Sequence, residues 1–171
     1  MFSPRMKPIP ILFACIMFVF CCFSNANAYQ EENAVQPEIL GLLLSMAGFE
    51  TDVMELNRED GFEEAIIIEG IQNVTLLIGF SQNGFKKGEP FLLSVDGAEV
   101  LVELSEEGNL IIVDGDGELI PSSIFDFVEC ILRTVSDLVQ DILKCGINPF
   151  CYVLEVFRAV FGILGCIFVI F

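Results

Sequence analysis

The chain has 171 residues, with 8 Lys and Arg against 25 Asp and Glu, so its formal net charge is −17. This acid surplus argues against nucleic acid as a partner, because few side chains are available to neutralise phosphates. The chain contains no His, which removes the Ser-His-Asp and Cys-His catalytic groups and the usual His zinc sites. Nevertheless 54% of the residues are hydrophobic and 17 are Phe, so we expect acidity and hydrophobicity in different segments.

Residues 1–28 are typical of a secretory signal peptide. Arg5 and Lys7 give a positive start, residues 9–23 are apolar and uncharged, and Ala26-Asn27-Ala28 predicts cleavage after Ala28. The alternative is an N-terminal membrane anchor that is not cleaved, but the apolar run is shorter than the roughly 20 residues that span a bilayer. We therefore expect a secreted or cell-envelope protein.

The next segment, residues 29–121, predicts an acidic β-rich domain. Residues 29–123 carry 20 acidic and 3 basic side chains, a net charge of −17. A short helix is expected between Pro37, which suits a first helical turn, and Gly48, which suits a helix end. Short apolar runs separated by turn residues then predict an antiparallel meander of five to seven strands, with Asp96-Gly97 as a two-residue hairpin turn. The expected strands are Phe49–Leu56, Ala65–Glu69, Val74–Phe80, Phe91–Val95, Glu99–Leu104, Leu110–Val113 and Glu118–Ile120.

The last segment, residues 122–171, predicts a helical hairpin that holds every cysteine outside the signal peptide. Because Cys130 and Cys166 have the same index sum as Cys145 and Cys151, one ungapped hairpin brings both pairs into opposition. An even number of cysteines in a secreted chain favours disulfides. The spacing therefore predicts the nested bonds Cys130–Cys166 and Cys145–Cys151, with four free thiols or another pairing as the alternative.

The two helices of this hairpin differ in character. The first has apolar residues at helical spacing and an opposite charged face, whereas Phe150–Phe171 carries only Glu155 and Arg158 as charged residues. A helix that is apolar all round lies either in a protein core or in lipid, and both alternatives stay open here. For the lipid alternative, the expected membrane-contact residues are Phe157, Val160, Phe161, Leu164, Ile167, Phe168 and Phe171.

Two short motifs outside the hairpin have plain structural interpretations. Asp114-Gly115-Asp116-Gly117-Glu118 resembles the start of a calcium loop, but Phe125 stands where the loop needs its bidentate Glu. A turn is the better interpretation. Asn73-Val74-Thr75 is a glycosylation sequon that we attribute to chance at a strand start. We predict no catalytic residue, cofactor or metal ligand, and interpret the chain as a non-enzyme.

The predicted fold class is therefore α+β: a short N-terminal helix, a β-meander and a C-terminal disulfide-bonded helical hairpin. This layout resembles that of precursors of hydrophobic, disulfide-bonded secreted bacteriocins. The resemblance implies a secreted precursor whose hairpin is a membrane-active peptide, with a lipid bilayer as its partner. The alternative is an intact envelope or extracellular binding or structural protein, in which the hairpin is a stabilised core or a membrane anchor.

Overall fold

The computed structural model describes residues 34–56, 58–146 and 148–170. The predicted signal peptide, its cleavage site at Ala28 and the predicted contact residue Phe171 lie outside the described residues. The fold is α+β, as predicted. Its elements are α1 (Pro37–Met46), β1 (Glu50–Glu55), β2 (Phe62–Ile71), β3 (Val74–Ser81), β4 (Pro90–Val95), β5 (Ala98–Leu104), β6 (Leu110–Asp114), a 3-10 turn (Gly117–Leu119), α2 (Ser122–Cys145) and α3 (Pro149–Ile170).

The six strands form one antiparallel meander in the order β1-β2-β3-β4-β5-β6, within the predicted range of five to seven. Asp96 and Gly97 join β4 to β5 with φ values of 50° and 88°, the pair of positive values that a type I′ hairpin turn requires. Gln72 and Asn73 join β2 to β3 in the same way, with φ values of 50° and 60°. The sequon residue Asn73 therefore lies in an exposed hairpin turn.

The strand predicted at Glu118–Ile120 is wrong, because this segment contains the 3-10 turn instead. The Glu118 N–H donates to the side chain of Asp116 over 3.1 Å, and the Ile120 N–H donates to the Gly117 carbonyl over 3.2 Å. These local bonds turn the chain away from the sheet. The connection from β6 to α2 is consequently short, with Ile120 buried at 4% exposure as its anchor.

One hydrophobic core connects the sheet to all three helices. α1 lies against β1 and β2, and α2 contacts β5 and β6. The Phe85 ring packs against the Phe80 and Phe91 rings, with centroids 6.3 and 5.5 Å away. The fully buried members of the sheet include Ile66, Ile68, Leu76, Ile78, Phe80, Phe91, Leu93, Val102 and Leu104.

The helical hairpin belongs to this same core. α2 buries one face of eight large apolar residues, while α3 packs on α2 and also contacts α1. The eight residues are Ile124, Phe127, Val128, Ile131, Leu132, Val135, Leu138 and Ile142. The predicted boundary between residues 121 and 122 thus joins two parts that bury their apolar surfaces against each other.

Candidate functional site: an apolar face on a disulfide-bonded hairpin

The turn between α2 and α3 is built from local signals. Gly146 adopts φ 59° and ψ −122° directly after α2, a conformation with positive φ that glycine adopts readily because it has no Cβ. The Asn148 side chain accepts a hydrogen bond from the Phe150 N–H over 3.1 Å, which caps the start of α3 at Pro149. The Tyr152 hydroxyl donates to the Gly146 carbonyl. These bonds fix the chain reversal that brings the two helices together.

Two disulfides join the helices, and both predicted pairs are confirmed. Cys145 and Cys151 flank the turn with their Cα atoms 5.5 Å apart. Cys130 and Cys166 connect the middle of α2 to the end of α3 with their Cα atoms 5.7 Å apart. Both separations lie in the range that disulfides adopt. Bonds of this kind are typical of an extracytoplasmic compartment.

A glycine allows the two helices to approach closely between these bonds. A methyl group on Gly162 would lie 2.8 Å from Thr134 Cγ2, closer than two carbon atoms can pack. Thr134 Oγ1 donates to the carbonyl of Cys130 one turn earlier in α2 over 2.8 Å. This bond fixes the orientation of the threonine side chain that faces Gly162. The two helices are therefore held together by one disulfide at the turn, by a second disulfide farther along the hairpin, and by tight packing between the two.

α3 has two apolar faces, and only one of them packs against the protein. The packed face comprises Val156, Ala159, Val160, Ile163 and Cys166. The opposite face carries an exposed stripe formed by Phe150, Leu154, Phe161 and Phe168, with exposed fractions of 85%, 66%, 69% and 84%. These four residues recur every four or seven positions, which places them on one side of a helix.

The predicted membrane-contact residues divide between these surfaces. Phe161 and Phe168 belong to the exposed stripe, and Phe157, Leu164 and Ile167 are half-buried beside it. Val160 has an exposed fraction of 9% and lies in the core, so it does not reach the surface in the folded chain. Phe150 and Leu154 were not predicted, although their spacing to Phe157 and Phe161 gives the same helical face.

The exposed side of α3 does carry a charge, because the Arg158 side chain is 75% exposed and lies four residues after Leu154 and three before Phe161. The Arg158 guanidinium lies 3.3 Å from the Glu155 carboxylate, and the Glu155 side chain is only 14% exposed. α3 is the one described helix that is long and apolar enough to cross a membrane, with a mean hydropathy of 1.9 over Pro149–Phe168. Only 28% of the most apolar 18-residue segment of this helix is buried. Length, composition and exposure together make this face the strongest candidate for a functional surface among the described residues.

The acidic motif after β6 forms a turn, as the sequence indicates. Asp114 Oδ1 accepts from the Gly115 N–H over 2.8 Å, and Asp116 Oδ1 accepts from the Glu118 N–H. These carboxylates therefore bond to neighbouring backbone groups. Within residues 34–56, 58–146 and 148–170, no three Asp, Glu, Cys or His side chains are grouped so as to hold a metal ion.

Comparisons with known proteins supply no further guide to the function, since no family model, no curated protein and no solved structure matches the chain.

Proposed function

We propose that the chain is a secreted precursor whose C-terminal hairpin of α2 and α3 is a bacteriocin-like, membrane-active peptide. In the precursor, the acidic sheet covers the apolar face of α2. The observation that carries this proposal is the exposed stripe on α3, which leaves a second apolar face of the same helix in solvent. A soluble protein seldom exposes a row of large aromatic side chains unless that row meets a membrane or another apolar surface.

The magnitude of burial supports lipid as the partner of the stripe. Complete burial of a large apolar side chain contributes roughly 1.5–3 kcal/mol. The four stripe residues, about three-quarters exposed on average, therefore offer roughly 5–9 kcal/mol before the entropy of association is subtracted. Against this gain stands Arg158, whose side chain is 75% exposed beside the stripe, so its guanidinium has to reach the polar surface of the membrane or keep its pairing with Glu155.

The disulfides support a hairpin that acts as a unit. A released segment of about fifty residues has little core of its own, and small secreted segments of this kind depend on disulfides for stability. Cys130–Cys166 and Cys145–Cys151 both lie inside residues 122–171 and none bridges to the sheet. Cleavage in the connection after β6 would therefore leave no covalent bond between the hairpin and the sheet.

A second function keeps the chain intact as an extracytoplasmic binding or structural protein, with the hairpin as its stabilised core or its membrane anchor. The shared core favours this candidate, because α2 packs on the sheet and α3 contacts α1. Mass spectrometry of the exported product distinguishes the two functions. A disulfide-bonded peptide that begins near Ser122 supports the precursor, whereas an intact chain beginning at Tyr29 supports the second function.

Membrane activity itself is tested with the oxidised hairpin and lipid vesicles. We expect the peptide to float with zwitterionic vesicles and to release an enclosed dye. Phe161→Asp should weaken binding sharply, because a charge placed at mid-bilayer costs about 2.5–3.5 kcal/mol on insertion scales. Gln140→Asp is the matched control, since it adds the same charge to an exposed position on α2. A wild-type peptide that stays in the aqueous fraction would reject the membrane function.

A further inference from the structure

The last strand of the sheet has an open edge with unusual exposure. β6 pairs with β5 on one side, and the sheet order ends there. Ile111, Ile112 and Val113 are 49%, 44% and 51% exposed. At the opposite edge, β1 is also largely exposed, with Val53 and Met54 each 39% exposed, but Thr51 Oγ1 donates to the Gly41 carbonyl of α1 over 3.2 Å. Three consecutive exposed apolar residues on a free edge strand are a template for the addition of another strand.

The direction of the backbone groups on β6 follows from one hydrogen bond. The Leu110 N–H donates to Glu129 Oε2 of α2 over 2.7 Å, so this group points away from β5. In an antiparallel strand, alternate residues direct their N–H and C=O groups to the same side. The N–H and C=O of Ile112 therefore face the open edge. Glu129 already satisfies the outward N–H of Leu110. Ile112 is the next residue along β6 whose backbone groups point outward, and it is the one that a docking strand would bind.

The acidic side chains around this edge indicate the charge that a binding partner would carry. Asp114, Asp116 and Glu118 follow Ile112 and are exposed, while Glu103 lies directly across from Ile111 in the β5–β6 pair. The sequence contains no Lys or Arg between Lys87 and Arg133. A second copy of the chain carries the same acid surplus, and the repulsion between two strongly acidic surfaces opposes the pairing of two copies at this edge.

We propose that the open edge of β6 is a docking site for an extended basic peptide segment of a partner protein. The segment adds to the sheet as a further strand, as in β-augmentation. Its backbone bonds to the outward groups of Ile112, its apolar side chains contact Ile111 and Val113, and its Lys or Arg side chains face Asp114 and Asp116. This site lies on the sheet and not on α3, so it holds or fails independently of the membrane function.

The test uses the purified chain and a fluorescent peptide of about seven alternating Lys and Val residues. A second peptide has the same sequence with N-methyl groups on alternate backbone nitrogens, so that it keeps the charge and loses strand donors. We expect the unmethylated peptide to bind and to slow hydrogen exchange of the Ile112 amide. We also expect affinity about tenfold weaker for the methylated peptide, because strand hydrogen bonds are lost.

Two matched variants locate the site. Ile112→Lys should lower the affinity about tenfold, since a charge on an edge strand opposes strand addition. Val53→Lys adds the same charge to β1 and should leave the affinity unchanged. Equal binding of the two peptides would overturn the proposal by showing that charge alone attracts them. Exchange protection away from β6, or a dimer of the chain that Ile112→Lys dissociates, would overturn it as well. If Ile112→Lys fails to fold, the peptide comparison still decides.

Discussion

Removal of the Cys130–Cys166 bond should cost more stability than removal of the Cys145–Cys151 bond. A disulfide stabilises a protein mainly by restricting its unfolded chain, and the effect grows with the length of the closed loop. The sequence separations are 36 and 6 residues. The chain-entropy relation then gives about 3.8 kcal/mol for the longer loop and about 2.2 kcal/mol for the shorter one at 25 °C.

Urea unfolding of two double-alanine variants measures this difference. In each variant both cysteines of one pair are replaced, and the other disulfide is kept oxidised. We expect the variant without Cys130 and Cys166 to lose about 1.6 kcal/mol more free energy of unfolding than the variant without Cys145 and Cys151. Equal losses, or a larger loss for the turn disulfide, would refute the loop argument. Non-reducing peptide mapping is the control, and a Cys130–Cys145 linkage would refute the pairing itself.

Further predictions concern glycines of α3 and one carboxylate of the sheet. Gly165→Ala should raise the free energy of unfolding by about 0.8–1 kcal/mol from helix propensity, because nothing lies within 4 Å of the added methyl group. Gly162→Ala should lower it, since the same methyl group meets Thr134; equal thermal midpoints for the two variants would contradict this. Burial, followed by the charges of Glu38, Glu55 and Glu63, raises the pKa of Glu64 above the ordinary value of a glutamate. A raised pKa means that protonation of Glu64 stabilises the fold at low pH and that this stability is lost as the pH rises through the folded value. Glu64→Gln should therefore stabilise the protein at pH 7 by roughly 0.2–1 kcal/mol, with the gain disappearing below about pH 4, as urea unfolding at several pH values would show.

Local signals in the sequence account for most of the fold that could be predicted. The turn at Asp96-Gly97 and the helix stop at Gly48 depend on neighbouring residues, and so does the hairpin turn before Pro149. The disulfide pairs were predictable because the cysteine spacing matches an ungapped antiparallel hairpin. By contrast, Glu129 reaches the Leu110 N–H across 19 residues of chain. Such a contact depends on the packing of α2 against the sheet, which no short pattern encodes.

The candidate site shows the same limit at a finer scale. A helix that is apolar all round has no hydrophobic period, so its sequence does not indicate which face meets the protein. The position of α1 and the bond to Cys130 determine that Val160 is packed and Phe161 is exposed. Phe150 and Leu154 escaped prediction because Glu155 and Arg158 follow them closely. In the structure these two charges pair with each other beside the exposed stripe.

The two faces of α3 also limit how the hairpin could enter a membrane. Its packed face is held by the protein core, and two disulfides tie α3 to α2, so the helix cannot be surrounded by lipid unless α2 moves with it. The eight large apolar residues that α2 buries are worth at most roughly 12–24 kcal/mol, part of it against α3. Departure of the hairpin into water therefore costs the free energy of every α2 side chain that leaves the sheet and meets solvent. If the proposed membrane function holds, a bilayer in contact with the exposed stripe offers these side chains another apolar environment, so we expect release of the hairpin to be more favourable at a lipid surface than in water.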